Sequence, residues 1–345
     1  MNIKSAIQRV VGGTDLSETE MVSVMNEIMG GQATDAQIGS FITALRMKGE
    51  SVHEIVGAVK VMRDKVTFID SGVDTGAGEI LMDVVGTGGD GANTFNVSTT
   101  TAFVVSAAGI PVAKHGNRAV SSKCGSADVL EALGVDLSLP ADVISKCVKD
   151  VGIGFLFAPM LHGAMKHAIR PRREMGIRTV FNVLGPLTNP AGANTLLVGV
   201  FAKELTSVLA EVLMRLGERR CLVVWGEGNM DEMTISGTSY VADGFNGKVK
   251  NYTVAPEDVG LERADVETVR GADTAEESAK QVRSVLRGEK GPKLDMVLLN
   301  SGAALLAAGK VESIKDGVAA ARKIVESGAA IEKLDALVAF CKAQK

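Results

Sequence analysis

Residues 83–100, DVVGTGGDGANTFNVSTT, constrain this chain more than any other stretch. They complete an apolar run (Ile80, Leu81, Met82, then Val84 and Val85) that reads as a buried strand. The run breaks into Gly86, Gly88, Gly89 and Gly91, and a helical pattern takes over at residues 99–108. Glycines at such a strand-to-helix transition allow a tight turn and bring backbone N–H groups close to an anion. Thr87, Thr94, Asn96, Ser98 and Thr99 add short polar side chains, and the helix that follows directs its positive end at the same place. The spacing is neither the GxGxxG of dinucleotide-binding folds nor the GxxxxGK[ST] of P-loop enzymes. A phosphorylated ligand is the expectation, without a nucleotide signature.

A second loop repeats the logic. Residues 113–128, AKHGNRAVSSKCGSAD, follow an apolar strand at 110–113 and precede a helical segment at 126–134. Lys114, Arg118 and Lys123 can neutralise phosphate charge, and Asn117, Ser121, Ser122 and Ser126 offer directional hydrogen bonds. His115 suits either a hydrogen-bond donor or a structural role. A third loop, GEGNMDEMT at 226–234, follows a strand ending at Trp225 and sets Asp231 beside Glu232. Magnesium takes oxygen ligands and commonly joins protein carboxylates to substrate phosphates, so this pair is the metal candidate. Asp90, inside the glycine loop, fits ribose hydroxyls or the orientation of donors better than direct contact with phosphate, because two anions repel.

The rest of the chain sets the frame. At 345 residues it is long enough for a large domain and a smaller one. The formal charge of −4 gives no reason to expect nucleic-acid or membrane binding, and no apolar run is long enough to span a bilayer. Four widely spaced cysteines without a CxxC pair read as reduced thiols. A cytoplasmic protein is expected. The first part carries three helix starts, Ser17 with Glu20, Thr34, and Ser51 with Glu54. Residues 1–70 therefore form a mainly helical domain, joined in space by part of 162–185. Residues 75–345, without that insertion, form the large α/β domain with a mostly parallel or mixed sheet. Within it, helix-then-strand pairs are expected at 205–216 with 221–225 and at 275–287 with 294–299, and helices at 316–327 and 331–341.

The segments GTGGDG (86–91), NTFNVST (93–99), KHGNRAVSSKCGSADVLEALG (114–134) and NVLGPLTNP (182–190) closely resemble anthranilate phosphoribosyltransferases, and the likeness runs through nearly the whole chain. The resemblance implies the nucleoside phosphorylase/anthranilate phosphoribosyltransferase fold, a homodimer, Mg2+ as cofactor, and a phosphoribosyl diphosphate cleft between domains. It assigns Gly86, Gly89, Asp90, Thr94, Asn96, Val97, Ser98 and Thr99 to the substrate-binding region. It adds Lys114, His115, Gly116, Asn117, Arg118, Ala119, Val120, Ser121, Ser122 and Ser126. Magnesium falls to Ser98, Asp231 and Glu232. Among the arginines of RPRREMG (170–176), which charge alone does not distinguish, the resemblance selects Arg172 for the anthranilate carboxylate. Two positions depart from the family pattern: Gly163 follows His162 where proline is common, and Cys124 stands at a serine- or threonine-like position.

The implied reaction displaces diphosphate from an anomeric carbon by an aromatic amine, and it needs no protein nucleophile. Two other readings compete with it. Nucleoside phosphorolysis uses related folds with KHGNR-like segments, and a nucleic-acid-binding or regulatory homologue would keep the fold without the activity.

Overall fold

The computed structural model describes residues 1–119 and 123–344, which divide into two compact units. One unit comprises Met1–Thr67 and Pro159–Pro190, the other Phe68–Ala158 and Ala191–Lys345.

The first unit is helical. Its opening part is α1 (Ile3–Val11), α2 (Glu18–Met29), α3 (Asp35–Lys48) and α4 (Val52–Asp64). The starts of α2, α3 and α4 are closed capping boxes. At α2 the Ser17 hydroxyl accepts the Glu20 amide at 3.3 Å, and the Glu20 carboxylate accepts the Ser17 amide at 2.9 Å. Each such cap contributes about 1 kcal/mol. Met21, Val24, Met25 and Ile28 of α2 are buried, as are Ile38, Phe41, Ile42 and Leu45 of α3, which is the stripe that the sequence spacing requires.

The second unit is the α/β body, and it begins with β1 (Met82–Gly86), α5 (Val97–Ala107), β2 (Val112–Gly116), α6 (Ser126–Leu133), α7 (Ala141–Val151) and β3 (Ile153–Phe157). A short α8 (Ala158–Leu161) leads into the second piece of the helical unit, where α9 (Lys166–Met175) packs on α2 and α3 and is followed by α10 (Phe181–Leu184). The α/β body resumes with β4 (Thr195–Gly199), α11 (Leu205–Arg215), β5 (Arg220–Gly226), β6 (Ser239–Phe245) and β7 (Lys248–Val254). Four helices complete it: α12 (Ala275–Leu286), α13 (Pro292–Ala307), α14 (Ile314–Glu326) and α15 (Ala329–Lys342). A smaller helical unit and a larger α/β unit are the expected fold class.

The sheet is mixed, in the order β3-β2-β1-β4-β5-β6-β7. Pairings from β3 through β5 are parallel, and β5–β6 and β6–β7 are antiparallel. The chain steps outward from β1 to β2 and β3, then returns to the far side of β1 with β4. The β1–β4 boundary is therefore the switch point of the sheet, outside whose carboxyl ends such folds bind ligands.

One expected element is wrong. Residues 294–299 are not a strand but lie in the first half of α13. Leu294 and every residue from Met296 to Ala307 are buried. A helix enclosed on all sides shows a continuous apolar run, which by periodicity alone reads equally well as a buried strand. No helix among the described residues is long and apolar enough to cross a membrane.

Candidate active site

The glycine loop occupies the switch point. Gly88, Gly89 and Gly91 have φ of +65°, +70° and +79°, a region closed to most side chains, so the loop can fold back over the ends of β1 and β4. Thr87 donates its amide to Gly199 O at 3.0 Å, and its hydroxyl accepts the Phe201 amide at 3.0 Å. The outgoing limb is held from the other side, where Phe95 donates to Val269 O at 3.1 Å and Gly271 donates to Asn93 O at 2.8 Å. Helix α5 then starts at Asn96, whose side chain makes no cap bond to the first-turn amides and instead donates to Cys124 O at 3.2 Å. Asn96 therefore does not cap the positive end of α5, which can face an acceptor. Among the described residues, the Thr99 hydroxyl is buried there without a partner. Val97 is buried and Ser98 half-buried, both in this first turn.

The acidic turn lies directly on this loop. Asp231 Oδ2 accepts the Gly88 amide at 2.6 Å, and Asp90 Oδ2 accepts the Asp231 amide at 3.3 Å. Thr94 donates its hydroxyl to Glu232 at 3.2 Å. Only glycine permits the approach. A Cβ on Gly199 would lie 1.4 Å from the Asp231 carbonyl oxygen, and one on Gly86 would lie 2.3 Å from its carboxylate. Asp90, Asp231 and Glu232 each bring a carboxylate oxygen within 4.8 Å of the others. Burial, then repulsion from Asp90, pushes the Asp231 carboxyl up to about 7. Burial, then Asp231 and Asp90, drives Glu232 well above its usual range. An all-oxygen donor set under this strain fits a divalent cation such as magnesium, which would relieve both the repulsion and the lost hydration. Asp90, expected to orient donors or meet ribose hydroxyls, accepts the Ala92 and Asp231 amides and also joins the carboxylate cluster.

Lys114 faces these acids from β2. It is buried, and burial lowers its pKa against the opposing pull of Asp83, Asp231 and Glu232. Strand β2 runs to Gly116, so Lys114 and His115 sit in the sheet and not in a loop. His115 is buried, and its amide donates at 3.1 Å to Asp83, itself buried on β1.

Beyond Gly116 the second loop holds itself together. Asp128 accepts the Ala119 and Gly125 amides at 3.0 and 2.9 Å and pairs with Arg118 at 2.8 Å. Arg118 also pairs with Glu131 at 2.9 Å and lies over the Phe157 ring. Lys123 pairs with Asp273 at 2.5 Å. Asn117 O accepts the Ser126 hydroxyl and the Ala127 amide, both at 3.1 Å. Of the expected contacts, Val120, Ser121 and Ser122 lie outside the described residues. Asp128, absent from the sequence reading, had one signal available: an acid three residues after Gly125 at a helix start.

In the helical unit the three arginines separate. Arg170 is exposed and pairs with Glu174 at 2.9 Å, and Arg173 is exposed. Arg172 is half-buried with its guanidinium 5.1 Å from the Phe181 ring centroid. Burial lowers its pKa, and among the described residues it has no carboxylate partner. A desolvated cation without an ion-pair partner suits the recognition of an anionic group. Burial likewise pushes His162 down to about 4, so its ring is neutral.

The fold and these loops define a glycosyl transferase. Residues 78–331 match the glycosyl transferase family a/b domain, and residues 4–66 match its helical bundle domain. The chain belongs to the anthranilate phosphoribosyltransferase family. It is 72% identical to the anthranilate phosphoribosyltransferase of Desulfotalea psychrophila, over 99% of this chain and 97% of that one. It is 54% identical to that of Syntrophotalea carbinolica, over 97% and 98%. The crystal structure of the Thermus thermophilus enzyme superposes with a TM-score of 0.91 at 45% identity, covering 98% and 99% of the two chains. The Saccharomyces cerevisiae enzyme in complex with PRPP and Mg gives 0.87 at 28% identity, covering 99% and 98%.

Proposed function

We propose that this chain transfers the phosphoribosyl group of 5-phospho-α-D-ribose 1-diphosphate to anthranilate, giving N-(5-phospho-β-D-ribosyl)anthranilate and diphosphate in L-tryptophan biosynthesis. The observation that carries the reading is the set of three crowded carboxylates, with buried Lys114 opposite, beside an open helix start at the switch point of the sheet. Loops 86–99 and 114–126 bind the donor. Backbone N–H groups of the glycine loop and the hydroxyls of Thr94, Ser98 and Thr99 take the phosphate oxygens.

Asp231, Glu232 and Ser98 would hold magnesium, with Asp90 adjoining. When bound, magnesium supplies positive charge against the diphosphate as it leaves. Lys114 adds a fixed cation on the same side, so little reorganisation is needed as charge develops. Arg172 takes the anthranilate carboxylate through its paired N–H groups, and Asn117 helps to orient the ring. The amine needs no strong protein base, because an aromatic amine is already unprotonated near neutral pH. Positioning opposite the departing diphosphate, with inversion at the anomeric carbon, does most of the work.

We further propose a homodimer, supported by large apolar side chains exposed on the helical unit: Val11, Met47, Met160, Ile169 and Ile177. Sedimentation at micromolar concentration should give twice the chain mass. As an enzyme of amino-acid biosynthesis, the protein would act in the cytoplasm.

The decisive assay follows anthranilate fluorescence with purified protein, phosphoribosyl diphosphate and magnesium. Fluorescence should fall only when all are present. Turnover of a nucleoside with phosphate in its place would redirect the reading to phosphorolysis.

A further inference from the structure

Asn300 lies in the middle of α13, 2% exposed, on a helix otherwise buried among apolar side chains. Asparagine is a poor helix former, and a buried amide is costly unless its hydrogen bonds are made. Here three are made, and two of them go to one residue of the acidic turn. Oδ1 accepts the Met233 amide at 3.0 Å, and Nδ2 donates to Met233 O at 2.9 Å. Nδ2 also donates to Met296 O at 2.9 Å, one helical turn back, which fixes the orientation of the side chain. The other end of the turn is pinned by the sheet: Gly226 and Met230 exchange backbone hydrogen bonds at 3.0 and 3.1 Å. Asp231 and Glu232 are the two residues between these anchors.

Asp90, Asp231 and Glu232 crowd their carboxylate oxygens within 4.8 Å of one another, and the repulsion between them works against the closed turn. The upstream anchor is continuous with β5. Downstream, the peptide groups on both sides of the Met233 Cα are gripped by a side chain from a different element. We propose that Asn300 is a positioning residue that keeps Asp231 and Glu232 assembled for the cation by clamping the backbone of Met233. This inference rests on the assignment of those carboxylates to magnesium.

The test uses the full chain and two readouts, amide hydrogen exchange at Met233 in metal-free enzyme and the magnesium concentration for half-maximal rate. Asn300→Leu keeps the volume and removes the clamp. Exchange should quicken about tenfold or more, the magnesium requirement should rise about tenfold, and the anthranilate KM should stay within about threefold. Val297→Ala, a cavity in the same helix, provides the control for general destabilisation: it should lower Tm and leave the magnesium titration in place. If Asn300→Leu does not fold, Asn300→Asp decides, because it keeps the acceptor for the Met233 amide and gives up the paired donors; an intermediate shift in both readouts is expected.

Unchanged Met233 exchange in the asparagine variants overturns the clamp. So does an equal rise in magnesium requirement for Val297→Ala at a matched loss of Tm. If instead Asp231→Asn leaves the magnesium titration untouched, the metal assignment fails while the exchange result still reports on the clamp.

Discussion

Lys114 and Arg118 stand four residues apart in one motif, yet the folded chain treats them in opposite ways. Arg118 projects toward α6, where Asp128 and Glu131 satisfy it and hold its pKa above the usual value. Lys114 is withdrawn into the sheet, and burial depresses its pKa although three carboxylates lie near enough to oppose the shift. Across from it, Asp231 and Glu232 are just as poorly compensated. Charges with internal partners build the loop, and charges kept short of them are the ones the proposed function assigns to ligands. The same distinction separates Arg170, paired with Glu174, from Arg172, which has no carboxylate among the described residues.

That contrast can be broken by experiment. Lys114→Met should cause the largest loss, about 10²–10³-fold in kcat/KM for phosphoribosyl diphosphate, because it removes a preorganised cation from the developing charge. Arg172→Ala should lower anthranilate efficiency about 10- to 100-fold, in line with a charge-assisted pair, and should change the donor KM little. Equal losses for both substrates in steady-state kinetics would end that division of labour. Asp231→Asn and Glu232→Gln should each raise the magnesium needed for half-maximal rate by about tenfold or more; an unshifted titration removes the residue from the metal site.

The acids also predict a pH dependence. The Asp231 carboxyl is raised to about 7 in the folded protein, while an unfolded aspartate titrates near 3.9. Between those values the native state holds more protons than the unfolded chain, so stability falls as pH rises. The Tm of metal-free protein should therefore decline from about pH 4 to about pH 7, and magnesium should restore it above that window. A Tm that climbs with pH over that range, without metal, contradicts the strained cluster. The smallest effect belongs to Arg118→Gln, less than about threefold in kcat/KM, since exposed pairs contribute little. A loss there as large as that of Lys114→Met would dissolve the distinction between the two residues.

Much of this was legible in the chain itself. The capping boxes at Ser17 and Ser51 follow from residue pairs three apart, and both formed as their local chemistry demands. The tight turn of the glycine loop was legible because positive φ at Gly88, Gly89 and Gly91 is local too. Resemblance to the family then singled out Arg172 from its neighbours. The strand expected at 294–299 failed because enclosure on every side, which depends on the rest of the fold, erases helical periodicity. That Asp90 meets Asp231 is not legible in the chain for a similar reason, since 141 residues separate the two.

The sequence by itself thus determined the local devices: caps, turns, the donor-rich loop and the acidic pair, all set by residues a few positions apart. Only the tertiary structure decided which charges go unanswered. Compensation depends on neighbours brought together from β1, β2, β5 and α13, and on Gly86 and Gly199 leaving room for the acidic turn to close over the sheet. Charge balance is a property of distance in space, and spacing along the chain does not encode it.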